Sequence, residues 1–148
     1  MLSDEKLEGR LVELLGSQRF AALATQSDGQ PYLSLMAFAA SGDLRRLIFV
    51  TERDTRKFAN LVADERTAVL VDNRSNEAVD LNAAMAVTAE GRAKELEGQA
   101  RSGAVELFLR EHPSLASFAG SATCAVIEVT VEIYHIVSEF QEVRILHP

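Results

Sequence analysis

Three apolar runs separated by very short turns constrain this chain most. Residues 19–26 (Arg-Phe-Ala-Ala-Leu-Ala-Thr-Gln) read as a strand, residues 31–40 as a second and residues 47–51 as a third. Between them stand Ser27-Asp28-Gly29-Gln30 and Ser41-Gly42-Asp43, residue types that tolerate positive φ or hydrogen-bond their own backbone. Strands joined this closely pair antiparallel, because a parallel partner needs a long crossover. Residues 67–72 and 85–93 continue the pattern on either side of a polar connection, which has room for one helical turn. Near the end, Ile127, Val129, Val131 and Ile133 alternate with Glu128, Thr130, Glu132 and Tyr134, the period of a strand with one face in water.

Helices are fewer. Leu7, Leu11, Leu14 and Leu15 form one stripe over residues 4–16, which Ser3 or Asp4 can cap and Gly16 can end. Phe58, Leu61 and Val62 give a short helix a face, with Asp54 placed to cap it. Residues 98–111 read as a third helix, with Ala104, Leu107 and Phe108 inward and Pro113 beyond its end. The expected fold is mainly β, an antiparallel barrel of about six strands with flanking helices. One domain spans residues 1–148, with the barrel over 19–138 and a tail over 139–148.

A net charge of −7 argues against a nucleic-acid binder and against docking on anionic membranes, since both need a basic face. No apolar run approaches membrane-spanning length, and the Met-Leu-Ser-Asp-Glu-Lys start lacks a signal-peptide layout. The single cysteine, Cys124, excludes an internal disulfide and reads as a small buried residue rather than a nucleophile. A cytoplasmic protein is the expectation. His112, His135 and His147 are scattered without ligand spacing, so no metal site is expected. No catalytic acid, base or nucleophile can be named, and no glycine-rich nucleotide motif occurs.

One feature of charge remains. Arg56 and Lys57 open the short helix, where the backbone already carries partial positive charge and favours anions. Either they are solvated and pair with Glu52 or Asp54, or an anion sits between them. In the second case Thr51, Thr55 and the first free N–H groups of the helix converge on one spot. Arg56 can grip two phosphate oxygens and Lys57 adds a point charge.

Thr51 followed by Arg56-Lys57, an apolar helix and a Val/Leu strand resembles the pyridoxamine 5′-phosphate oxidase-like, FMN-binding split-barrel family. The Gly29-Gln30-Pro31 hairpin and the later strand Ala-Val-Thr-Ala-Glu-Gly-Arg-Ala-Lys-Glu-Leu keep that family's order. The resemblance implies an FMN phosphate held by Arg56 and Lys57, with Thr51 and Thr55 as hydroxyl donors. It places Leu33, Ser34, Leu35 and Met36 along the flavin ring, and Val50 at the end of the third strand beside it. It also implies a homodimer with the flavin at the interface and a small-molecule or electron-transfer substrate. Asn73 and Arg74, in the polar knot of residues 72–76, either reach the flavin or form a turn satisfied by its own side chains. A deazaflavin could replace FMN, and a non-catalytic flavin, haem or tetrapyrrole carrier is the rival reading. Two departures bear on substrate. Leu33 stands where true oxidases open the second strand with a basic residue, and the C-terminal segment lacks their arginine-containing substrate loop. Little pyridoxamine phosphate oxidase activity is therefore expected.

Overall fold

The chain begins its sheet with a hairpin whose turn dictates its register. In a computed structural model describing residues 3–139 and 141–148, β1 (Phe20–Ser27) pairs with β2 (Gln30–Ala37). Asp28 and Gly29 both take positive φ, at 51° and 79°. A two-residue turn of this kind matches the twist of paired strands. The Gln26 side chain accepts the Gly29 N–H at 2.9 Å and closes it.

β2 does not run to residue 40 as the apolar run suggested. Phe38 leaves the ladder and points into the core, and β3 (Ala39–Ala40) pairs instead with β4 (Arg46–Glu52). The remaining strands are β5 (Arg66–Asp72), β6 (Ala86–Glu95), β7 (Cys124–Ser138) and β8 (Glu142–Leu146). They form one eight-stranded antiparallel sheet in the order β2-β1-β5-β6-β7-β4-β3, with β8 on β7. The mainly β, antiparallel class and the flanking helices agree with the sequence reading, whereas the strand count is eight rather than six. β8 lies in the segment read as a tail, and Phe140 of that segment lies outside the described residues. β7, at 15 residues, carries β4 on the first half of one edge and β8 on the second half.

The even alternation read from β7 breaks in its middle. Glu90 lies opposite Ile133 but Gly91 opposite Val131, so Glu132 is the extra residue of a bulge. Beyond it the faces exchange: Tyr134 and Ile136 turn into the core while Ile133 is only partly buried. The Tyr134 hydroxyl donates to the Leu44 carbonyl at 2.7 Å, which satisfies its one buried polar group.

Helix α1 (Asp4–Ser17) lays Leu7, Leu11, Leu14 and Leu15 on the concave face, together with Leu23, Phe49, Val69 and Ile136. Ser3 is its cap, accepting the Lys6 N–H, and the helix runs past Gly16 to Ser17. Helix α2 (Arg56–Ala63) follows β4, and a buried Asn60 amide donates to Thr25 of β1 at 3.0 Å. α3 (Asp80–Ala83) is one turn in the polar connection. α4 (Gly98–Glu111) covers the other face of β4 and β7, packing Ala104 and Phe108 on Ile48, Val50 and Val126. A 3-10 turn (Pro113–Leu115) and α5 (Ala116–Ala119) lead into β7.

The rest of that outer face is apolar and open to solvent. Leu35, Ala22, Leu70, Thr88, His135 and Ile145 lie side by side across six strands. Leu33, Phe20, Val137 and Val143 flank this row and are exposed, as are Leu35, Leu70 and Ile145. No helix among the described residues is long and apolar enough to cross a membrane.

Candidate functional site

The curled sheet is left unzipped between β2 and β4, which are not neighbours in the hydrogen-bonded order. Where these strands approach, a groove of about 260 Å³ opens. Leu35, Met36 and Ala37 form one wall, and Val50, Thr51 and Glu52 form the other. Thr55 and Lys57 stand at the start of α2, while Phe108, Leu115 and Phe118 close the far side. A groove of this kind is polar at one end and aliphatic or aromatic along its length.

Local physics explains the polar end. β4 stops at Glu52 and the chain reverses through a turn into α2. Thr55, not Asp54, caps that helix: its hydroxyl oxygen accepts the Phe58 N–H at 3.3 Å. The same hydroxyl donates to the Glu52 carbonyl at 2.8 Å, and the Thr51 hydroxyl sits 3.4 Å away. Thr55 therefore gives its single proton to the protein, which leaves Thr51 as the hydroxyl better placed to turn toward a ligand. Thr51 is buried, and its own contacts, 3.3 Å to the Glu52 carbonyl and 3.4 Å to Thr55, are both long.

The two cations diverge. Lys57 lines the groove, and Arg56 does not: its guanidinium carbon lies 4.9 Å from the centroid of the Tyr32 ring. Pairing with Glu52 or Asp54 is not found, since among the described residues no carboxylate stands within ion-pair reach of Arg56 or Lys57. Uncompensated cations next to free helix N–H groups are the arrangement that suits an anion.

The groove thus gathers Leu35, Met36, Val50, Thr51, Thr55 and Lys57 of the residues singled out in the sequence. It does not gather Leu33, which is exposed on the outer sheet face, or the partly buried Ser34. Asn73 and Arg74 lie elsewhere. The Asn73 side-chain oxygen accepts the Met85 N–H at 2.7 Å, and Arg74 pairs with Asp72 at 3.1 Å. Asp80 accepts from Ser75, Asn76 and Glu77, so the knot is a turn satisfied from within.

Ala37, Glu52, Phe108, Leu115 and Phe118 were missed. Phe108 looked like a core residue, and it is one, its ring tilted against that of His112 with centroids 4.8 Å apart. Leu115 and Phe118 had a weak signal, two large apolar residues in a short segment just after Pro113. Cys124 is fully buried, and burial first, with the Glu52 carboxylate beside it, pushes its thiol pKa up. Burial of this kind disfavours the thiolate. No group of His, Cys, Asp and Glu residues suited to a metal ion occurs among the described residues.

Comparison with known proteins agrees with this architecture. The family described as pyridoxamine 5′-phosphate oxidase matches residues 7–137. No curated protein matches the sequence. A heme-binding protein from Mycobacterium smegmatis superposes with a TM-score of 0.84 at 19% identity, over 99% of this chain and 59% of that one. The chain therefore spans 59% of the length of that relative. General stress protein 26 from Bacillus anthracis gives 0.73 at 16% identity, covering 96% of this chain and 98% of the other. A FAD-binding protein from Mesorhizobium loti gives 0.65 at 22% identity, with 91% and 94% covered. Identities this low establish the shared fold.

Proposed function

This chain belongs to the pyridoxamine 5′-phosphate oxidase family, and from that premise we propose that it is an FMN-binding oxidoreductase acting as a homodimer. The observation that carries the reading is the seam groove, where Lys57 and Thr51 meet the first N–H groups of α2 beside an apolar slot. The donor set suits the ligand. Lys57, with Arg56 beside it, would neutralise the phosphate, and Thr51 would donate to it. Leu35, Met36 and Val50 would lie along the ring, with Phe118 at the opposite edge. When bound, FMN supplies the redox chemistry; the protein positions it and excludes water.

One chain provides only part of such a site. The groove's 260 Å³ falls below the roughly 300–1,000 Å³ of a whole small-molecule pocket. Leu35 belongs both to the groove and to the exposed apolar row, so a second copy docked on that row would wall the groove in. The substrate is proposed to be a small molecule or a protein electron carrier.

Haem on the same barrel is the second reading, prompted by the likeness to the Mycobacterium smegmatis protein. Among the described residues that line it, the groove offers iron no His, Cys or Tyr, and Met36 is the one sulfur. Flavin suits these residues better.

The test is direct. Purified protein mixed with FMN is expected to show bound-flavin absorbance and no haem band. Arg56→Ala should weaken FMN binding by about 1.5–3 kcal/mol, the range of a charge-assisted hydrogen bond. Unchanged affinity in both Arg56→Ala and Lys57→Ala would remove the cradle assignment.

A further inference from the structure

Arg56 is unusual in its company. Among the described residues its partner is an aromatic ring and not a carboxylate. A ring accepts a cation through its face without supplying a lone pair, so the guanidinium donors stay unbonded. Tyr32 sits on the same face of β2 as Ser34 and Met36, at alternate positions, and Met36 lines the groove. Tyr32 is also paired with Thr25, the residue that receives the buried Asn60 amide of α2. Strand and helix are therefore pinned together beside the ring, and the Tyr32–Arg56 contact rests on a fixed base.

We propose that Tyr32 is a positioning residue for phosphate recognition, holding Arg56, the chain neighbour of the groove-lining Lys57, in one place with its donors available. The inference rests on the flavin cradle proposed above and adds to it a residue that need not touch the ligand. A long, mobile side chain held in one place before binding loses less freedom when it grips. A carboxylate in the position of Tyr32 would fix Arg56 equally well but would occupy the donors the phosphate needs. An aromatic ring does the first without the second.

The contact acts through the phosphate, so the experiment compares two ligands that differ only there. FMN and riboflavin are titrated by flavin-fluorescence quenching into flavin-free wild type, Tyr32→Leu, Tyr32→Phe, Arg56→Ala and the Tyr32→Leu/Arg56→Ala double variant. Tyr32→Leu is expected to weaken FMN about two- to five-fold, the scale of an exposed cation–π contact. Tyr32→Phe keeps the ring and should keep wild-type affinity. Riboflavin affinity should not move in any variant, and Tyr32→Leu should add nothing once Arg56 is alanine. Equal losses for FMN and riboflavin, or a loss that persists in the Arg56→Ala background, would overturn the positioning role. An FMN loss in Arg56→Ala with none in Tyr32→Leu overturns this inference alone. Arg56→Ala without effect would instead remove the cradle beneath it.

Discussion

At Gly91 the sheet has no space for a side chain, because a β-carbon there would collide with the Thr130 carbonyl across β7. Backbone cannot step aside as a flexible side chain can. Gly91→Ala is expected to cost about 1–3 kcal/mol, as overpacking does, visible as a lowered midpoint in thermal unfolding. An unchanged midpoint would show that the bulge at Glu132 relaxes freely. Gly91 was visible in the sequence but its role was not, since the collision depends on which residue β7 places opposite. The same holds for Tyr134. A strict period of two turns it outward, and only the extra residue at Glu132 turns it in. At the start of α2 the competition was between adjacent residues with similar capping ability. Asp54 and Thr55 both suit an N-cap, and the turn after β4 decides for Thr55.

Among the elements, the hairpins were legible because their turns carry their own chemistry. Asp28-Gly29 specifies a tight reversal without help from the rest of the fold. β8 was not legible: five residues with Val143 and Ile145 exposed gain their pairing from β7 and little from their own pattern. The outer face of the sheet is a property of no single strand. Its row from Leu35 through Leu70 to Ile145 appears only when registers are laid side by side. If a second copy covers this row, a charge placed on it should prevent association. Leu70→Arg is expected to convert a dimer to a monomer in light scattering at micromolar concentration, with FMN bound more weakly in step. A Leu70→Arg protein that stays dimeric would move the interface elsewhere.

For the molecule as a whole, the question is which substrate the site can admit. Pyridoxamine phosphate brings a second phosphate, which needs a second set of cations. Three arginines outside the groove already have carboxylate partners: Arg74 with Asp72, Arg92 with Glu65 and Glu132, and Arg144 with Asp4. Flavin-loaded protein given saturating pyridoxamine phosphate is therefore expected to turn over far more slowly than roughly one per second, an ordinary enzymatic rate. Pyridoxal phosphate absorbance at that rate or above would show that one of these pairs opens. The polar half of the site was readable because its residues are contiguous from Thr51 to Lys57. The far side was not, because Phe108, Leu115 and Phe118 belong to α4 and the segment after it and reach the groove only through tertiary packing. The long strand β7 has a further consequence, for the order of folding. It joins Arg46 to Thr130 and Glu52 to Cys124, so β4 waits for a partner made much later in synthesis. The early hairpin can form on the nascent chain, while the central strand of the core follows much later in the sequence. Such distant pairing slows folding, since a long loop must close before its contacts reward it. Until then Ile48 and Val50 line an open strand edge, which makes the incomplete chain the form most in need of a chaperone.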